Sequence, residues 1–466
     1  MSRIWTVALL ILGGCAQVGG DYHRESLKQT PTAWSVTLPK GDLAGFWPGF
    51  GDPQMVALIE RALADSHSLE EAAARVREAR ALAVIAGSNA RPKVEANASV
   101  KSDRASDNGR FPLNGLSNPA TLYQAGFDAG WEWDLFGGLR REREAAQAEV
   151  DAAGFHHDAL AVSLAAEVAN TYFDLRAAQA QQQTLQRQMQ VAREALGLVQ
   201  TRVRAGLNPD IDALRAEDEL ARIESRLPTA EAGAGVAIRR LGILLGGGTP
   251  LAELSPIKPL PEAMPGVPET LPAALIDRRP DLAAAEAELR VAMARIGSAE
   301  AAKLPQVSLL GSLGLLSMHG GNLFTAGSSQ WNLGPQISLP LLNGGALDAG
   351  VEAARARRDA SAAHWRQLAT EAIGEVESTA LRLREADQRQ IALAKGLVAQ
   401  REIVELARVR YERGLTDLTL PLDAVRQLLA AETDEIDARA RRLKETVALY
   451  KVLGGGWNLP PAMQSR

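Results

Sequence analysis

The sequence predicts a mainly α-helical chain that also contributes four strands to a membrane β-barrel. It reads as a half-repeat present twice, with three chains closing one twelve-stranded barrel that a long α-helical barrel continues. Three observations carry this prediction. The sequence matches itself at a long, nearly constant offset, four segments alternate apolar and polar residues, and two stretches of about 65 residues lack proline and keep a helical period.

The 466 residues are 46% apolar and 23% charged, a globular composition, and aromatics are only 5%, so close-packing alanine and aliphatic residues dominate the apolar surface. A net charge of −5 with the two signs interspersed implies no basic face, and nucleic acid is set aside as a partner. A single Cys excludes a disulfide framework and a Cys-rich metal site.

That cysteine follows a leader. Arg3, the apolar run Ile4 to Leu12 and two glycines make residues 1–14 a signal peptide, since the run is too short to span a bilayer. Leu12-Gly13-Gly14-Cys15 resembles the bacterial lipobox, which makes Cys15 the expected lipid-attachment residue, and Ala16 after it favours the outer membrane over the inner. The alternative is an ordinary signal peptide with an incidental Cys. Residues 15–51 are then a lipidated N-terminal extension.

The repeats follow. An offset of 208 aligns Asn170 to Ala178 with Ser378 to Ala386, Gly206-Leu207 with Gly414-Leu415, and Leu245-Gly246-Gly247 with Leu453-Gly454-Gly455. Earlier in each half the offset is 213, pairing Leu69 with Leu282 and Arg91-Pro92 with Leu304-Pro305. The first repeat covers 52–247 and the second 273–456, with a tail at 457–466. Each should share one topology.

In the first repeat Asp52 as N-cap and Pro53 open a helix running to Ala90, and Pro92 ends it. Val94, Ala96, Ala98 and Val100 alternate with polar residues, then a polar stretch from Lys101 to Ala120 reads as a loop. Tyr123, Ala125, Phe127, Ala129, Trp131 and Trp133 then alternate with Gln124, Gly126, Asp128, Gly130, Glu132 and Asp134. The hairpin spans 93–134. Its counterpart at 305–341 sets Val307, Leu309, Leu313 and Leu315, then Trp331, Leu333, Ile337 and Leu339, against Gln330, Asn332, Gln336 and Ser338.

Two hairpins on a soluble core would be the ordinary reading. Against it, each run approaches the ~10 residues a tilted strand needs to cross a bilayer. Tyr123, Trp131, Trp133 and Trp331 would furnish an aromatic belt. The opposite face carries carboxylates, which a core would exclude. Four strands cannot close a barrel, and unpaired edges are not tolerated in lipid. Two chains give eight strands with a filled interior; three give twelve, enough for a channel, so the strand count predicts a homotrimer surrounded by outer-membrane lipid.

After the hairpins, long helices are expected at 139–204 and 346–412, each roughly 100 Å at 1.5 Å per residue, with a narrow apolar seam. Turns at Gly206-Leu207 and Gly414-Leu415 reverse the chain into return helices at 210–245 and 418–453. Seven prolines between Gly246 and Pro272 mark a linker at 248–272.

These residues resemble the TolC-like outer-membrane efflux factors, NodT-type lipoprotein branch. The resemblance rests on Gly20-Asp21-Tyr22, Phe46-Trp47 with Phe50-Gly51-Asp52-Pro53, Leu275-Ile276-Asp277-Arg278-Arg279-Pro280-Asp281-Leu282, Ile296-Gly297 and, at the second turn, Tyr411-Glu412-Arg413-Gly414-Leu415-Thr416-Asp417 with Leu422-Asp423-Ala424. It implies a homotrimer with a periplasmic helical tunnel, exporting small molecules received from an inner-membrane pump of the RND type through a periplasmic adaptor, the membrane fusion protein. It also implies a periplasmic tip built from Gly206, Leu207, Tyr411, Gly414, Asp417 and Asp423. Some relatives carry two acidic residues three apart near this tip; here the earlier position is Leu420, so only Asp423 matches. Three Asp423 carboxylates near one axis would repel, and Tyr411, Arg410 and Arg413 are the expected gate supports; the alternative is that these are solvated helix-end residues.

No enzymatic constellation appears. His156 and His157 are adjacent rather than i, i+4, and Gly246-Gly247-Gly248-Thr249 lacks the lysine of a P-loop. Arg279-Pro280-Asp281 reads as a helix start rather than an anion site. No cofactor is expected beyond the covalent lipid on Cys15. The alternatives are an outer-membrane duct for peptide or protein secretion of the type I kind, a structural coiled-coil lipoprotein, which would need no aromatic-ended strands, and an enzyme.

Overall fold

The computed structural model describes residues 18–24, 34–35, 45–106, 119–247, 251–266, 275 and 277–455. The expected leader, Cys15, most of the expected N-terminal extension and the tail lie outside the described residues. The chain divides into two compact units. One comprises residues 1–26, 75–154 and 284–366, and the other 27–74, 155–283 and 367–466.

The first unit holds a four-stranded antiparallel sheet in chain order, β1 (Lys93–Asp103), β2 (Ala120–Trp133), β3 (Gln306–Ser317) and β4 (Ser329–Ser338). Lys101 to Asp103, loop-like in composition, continue β1 because they sit in register with Leu122, Thr121 and Ala120. Helix α2 (His67–Ser88) leads into β1, α3 (Gly138–Arg204) follows β2, α6 (Pro280–Ala301) leads into β3, and α7 (Ala346–Glu412) follows β4. Asp134 sets the start of α3, its carboxylate accepting from the free amides of Leu139 at 3.2 Å and Arg140 at 2.8 Å. Ala145 and Ala148 of α3 pack on Val291 and Ala294 of α6, small residues that bring the two backbones close.

The second unit holds the main core. Phe46, Phe50, Tyr172, Phe173 and Tyr450 lie within it, with Phe46 stacked on Tyr450 at 4.1 Å. Its helices are α1 (Pro53–Asp65), the later parts of α3 and α7, α4 (Asp210–Glu224), α5 (Leu227–Leu244) and α8 (Thr419–Val452). Asp52 caps α1, accepting from Gln54 N at 3.0 Å and Met55 N at 3.3 Å, and its other oxygen accepts the Tyr172 hydroxyl at 2.6 Å. Linker residues 251–266 are held down rather than free: Leu254 and Leu260 are buried, and Gln179 Nε2 donates to the Leu254 carbonyl at 2.8 Å.

Two stretches expected as single helices are broken. Between α1 and α2 the backbone of Ser66 turns extended. The return stretch 210–245 splits into α4 and α5 because Pro228 has no N–H to bond back one turn. Pro421 falls in the first turn of α8, where that donor is unpartnered in any case, and α8 runs unbroken.

The duplication extends to the hydrogen bonds that end the helices. Gly206 N donates to Val203 O and Leu207 N to Arg202 O, both at 2.9 Å; Gly414 N donates to Tyr411 O and Leu415 N to Arg410 O, again both at 2.9 Å. Gly206 and Gly414 have φ of 69° and 70°, the left-handed conformation that this cap requires and glycine adopts without strain.

Candidate functional site

Two features can do chemistry: the faces of the sheet in the first unit and the helix turns in the second. The sheet register sorts most side chains by face, because directly paired residues share a face, although Leu122, Leu310 and Leu316 fall on the face that is otherwise polar. Val94, Ala96, Ala98 and Val100 pair with Ala129, Phe127, Ala125 and Tyr123. These continue through Gly311, Leu313, Leu315 and Ser317 of β3. On β4 the same face carries Trp331, Leu333, Pro335 and Ile337. The other face carries Lys93, Glu95, Asn97, Ser99 and Lys101 on β1, Asp128 and Glu132 on β2, Ser308 and Ser312 on β3, and Gln330, Asn332 and Gln336 on β4. Glu95 lies directly opposite Asp128, whose carboxylate accepts from Asn97 Nδ2.

Large side chains on the apolar face are uncovered: Phe127 is 57% exposed, Leu313 62% and Trp331 76%. Such exposure across a whole face is costly in water and ordinary against lipid. Gly126 and Gly314 face each other on the polar side, where a Cβ on either would come within 2.7 Å of the opposite backbone. Two strands that close tolerate no side chain there.

Of the four aromatic belt residues, Tyr123 pairs with Val100 and Ser317 toward the loop end of the strands, while Trp131 and Trp133 pair with Leu309 and Val307 toward the helix end. Trp131 Nε1 donates to the Ala90 carbonyl at 3.1 Å. Trp331 pairs with Leu313, which pairs with Phe127, so it occupies a row between the other two groups.

The helix turns of the second unit form a compact cluster. Val199, Tyr411 and Leu418 are buried together with Val203, Ala213 and Leu422 beside them. Asn208 is its polar centre. Its Oδ1 accepts from Arg202 Nε at 3.1 Å, and its Nδ2 donates to Asp212 Oδ2 at 2.9 Å and to the Tyr411 hydroxyl at 3.0 Å. The Arg202 guanidinium lies 5.1 Å over the Tyr411 ring, within cation–π range. Beside this cluster the repeats are also joined by Arg215 to Thr419 Oγ1 at 3.4 Å and by Arg426 to the buried carboxylate of Glu219.

The expected tip residues are thereby located. Gly206 and Gly414 cap α3 and α7, Leu207 is exposed just beyond the first cap, and Asp417 Oδ1 accepts from Thr419 N at 3.2 Å at the start of α8. Asp423 is about half exposed, and the cation on it is Arg426 at 3.3 Å, one turn along α8, in place of Arg410 or Arg413. The reason is position: Arg426 shares a helix face with Asp423 at i, i+3, whereas Arg410 and Arg413 sit in and just after the last turn of α7. Tyr411 serves Asn208 rather than Asp423. Sequence reasoning missed Asn208, Arg202, Asp212, Glu219 and Arg426. Asn208-Pro209 immediately after a helix cap was the one available signal, since asparagine there is placed to bond across a turn.

Comparison with known proteins places the chain in a family. The profile described as outer membrane efflux protein matches residues 58–247 and 271–455, two segments that fall on the two repeats. The chain is 30% identical to the toluene efflux pump outer membrane protein TtgI of Pseudomonas putida, over 97% of each chain. It is 28% identical to the multidrug resistance outer membrane protein MdtP of Escherichia coli, over 100% of this chain and 99% of that one. Among solved structures, the outer-membrane channel OprN superposes with a TM-score of 0.84 at 31% identity, covering 94% of this chain and 99% of that one. The open-state MtrE outer membrane channel of Neisseria gonorrhoeae gives 0.81 at 28% identity, over 95% and 98%. With a sheet that is apolar on one face and polar on the other, helices capped alike at both turns, and family similarity along nearly its full length, this chain is a member of the outer membrane efflux protein family.

Proposed function

We propose that three copies of this chain form a passive outer-membrane conduit of a tripartite efflux system, exporting small molecules that an inner-membrane pump delivers through a periplasmic adaptor. The sheet carries this reading. Among the described residues each of its edge strands, β1 and β4, pairs on one side only, one face is apolar and unburied, and the other bears Glu95, Asp128 and Glu132. An unpaired edge in hydrocarbon costs several kcal/mol for every unmet backbone group, so β1 of one copy pairs with β4 of the next until the ring closes. Twelve strands then enclose a wet lumen.

Cys15 bears the lipid that anchors the N-terminus, and the helix turns form the gate. Asn208, Tyr411, Arg215, Thr419, Glu219 and Arg426 hold the two repeats together in a closed arrangement, and the Asp423 carboxylates of three copies set the charge at the constriction. Leu207, 70% exposed, and Leu415, 65% exposed, offer apolar contacts to the adaptor. The energy for transport belongs to the pump.

The test uses cells from which the chain has been deleted. They should accumulate a fluorescent efflux dye, and the wild-type chain should restore export. A chain with Asn208→Cys and Tyr411→Cys, joined across the tip by a short bis-maleimide, should insert normally and fail to restore it. Restoration by the cross-linked chain would reject the tip as the gate, and normal dye export in the deleted cells would reject the efflux role.

A further inference from the structure

The first residues that the structure describes are not loose. Val18 to Arg24 lie against α3 and α6 in the first unit, held by Arg141 of α3, whose side chain is 6% exposed. Arg141 Nε donates to the Val18 carbonyl at 3.3 Å, and its Nη2 donates to the Gly19 carbonyl at 2.7 Å and to Asp21 Oδ1 at 3.0 Å. Its Nη1 is fixed by Glu144 Oε2 at 2.7 Å, so the fork is aimed before the segment arrives. Val18 N donates to the Phe136 carbonyl at 3.1 Å, three residues beyond the last residue of β2. Farther along, the Tyr22 hydroxyl donates to Glu286 Oε1 at 3.1 Å, and Arg24 pairs with the same carboxylate at 3.3 Å.

The groove is cut for backbone. A Cβ on Gly297 would come within 2.9 Å of the Val18 carbonyl and 2.8 Å of Arg141 Cγ. Gly19 adopts φ of +84° and would, with a Cβ, come within 2.6 Å of Gly297 Cα. Both positions therefore need glycine, and a guanidinium that reads two carbonyls recognises the segment by its main chain.

Cys15 precedes Val18 by three residues, which fixes its reach at no more than about 11 Å from Val18. Acyl chains on it must then enter the bilayer beside the end of β2 from which α3 departs. We propose that Arg141 and Gly297 form a seat for the segment following the acylated terminus, and that this seat sets the depth at which the acyl chains enter the leaflet. The inference rests on the reading of Cys15 as the lipid-attachment residue. The seat converts a tether that would wander over the surface into a second fixed contact with lipid, level with the strand ends, and it adds to the apolar band of the sheet where neither signal need anchor alone.

The test uses the full-length chain, purified as trimers in liposomes, with a nitroxide on Gln17→Cys, a unique label because the native Cys15 is blocked by acylation. Mass spectrometry of the N-terminal peptide establishes acylation, and collision with oxygen and with a water-soluble nickel chelate reads the depth of the label. The expected result is an immobilised label at one depth. Arg141→Ala and Gly297→Leu should free it, spread its depth and speed exchange of the Val18 amide by about tenfold or more, with acylation intact. Asp21→Ala, whose carboxylate is 81% exposed, should give a smaller effect in the same direction without disturbing the fold. Should Arg141→Ala fail to assemble, Arg141→Lys keeps the charge without the fork, and with Asp21→Ala it carries the comparison. An acylated terminus whose label and amide are unchanged in these variants overturns the seat alone. An unmodified terminus overturns the anchor reading and the inference with it.

Discussion

At Tyr411 a single hydroxyl accepts from Asn208 Nδ2 and ties the last turn of α7 to the start of the opposite return helix. If the turns are the gate proposed above, removing it in Tyr411→Phe should cost about 1 kcal/mol, roughly a fivefold shift toward the open tip, because the ring and its Arg202 contact remain. Glu219→Ala should open the tip further, since it removes the buried carboxylate through which Arg426 ties α8 to α4 and leaves Arg426 only the half-exposed Asp423 on its own helix. Asp423→Ala breaks only a half-exposed pair, so it should change cation block through the lost charge while leaving open probability within about twofold. Planar-bilayer recordings should rank the three variants Glu219→Ala, then Tyr411→Phe, then Asp423→Ala in decreasing order of opening. Equal or inverted ranking would remove Asn208–Tyr411 and Glu219–Arg426 as the closing contacts. Tyr411 and Asp423 were legible in the sequence because they stand in a recognisable motif. Their partners were not, because Asn208 and Arg426 meet them through the packing of helices more than 200 residues apart or through the face of a helix whose neighbours sequence alone does not name.

Elements differ in how openly their sequences declare them. The strands were readable because a side-chain period of two puts every second residue on one face, and the register keeps the alternating residues on common faces across all four strands, with Leu122, Leu310 and Leu316 as apolar exceptions on the polar face. Helix breaks were less so: Pro228 interrupts the return stretch of the first repeat while Pro421 does not interrupt the second, and the difference is only whether the proline falls inside a helix or in its first turn. At the start of α6, the Arg279-Pro280-Asp281 segment is more than a helix start. Arg279 donates to Asp281 at 2.7 Å, to Glu375 at 2.8 Å and to the Val452 carbonyl at 3.2 Å, fastening α6 to α7 and α8. Burial pushes the Asp281 carboxyl upward, and the Arg279 guanidinium outweighs it, holding the group below its ordinary value of 3.8. A carboxyl so depressed contributes stability above pH 3.8 that is lost as pH falls through the still lower folded value. Asp281→Asn should therefore lower stability by about 1 kcal/mol at pH 7, and the difference from wild type should shrink below pH 4. Melting curves across pH 3–8 measure it, and a difference independent of pH would mean the aspartate acts through packing alone.

For the molecule as a whole, the two halves were visible as one topology used twice, down to paired glycine caps at Gly206 and Gly414 and at Gly246 and Gly454. The number of chains in the assembly is a different kind of inference. It follows from four strands, two unpaired edges and the requirement that a lipid-facing sheet close upon itself, with twelve strands as the smallest multiple that leaves an open lumen. The most direct test is native mass spectrometry of the full-length protein released from membranes in a mild detergent. Three chains closing one barrel give a single species with the mass of three chains that persists on dilution. A species with the mass of one chain at every concentration would contradict it, because four strands with open edges cannot stand in a membrane.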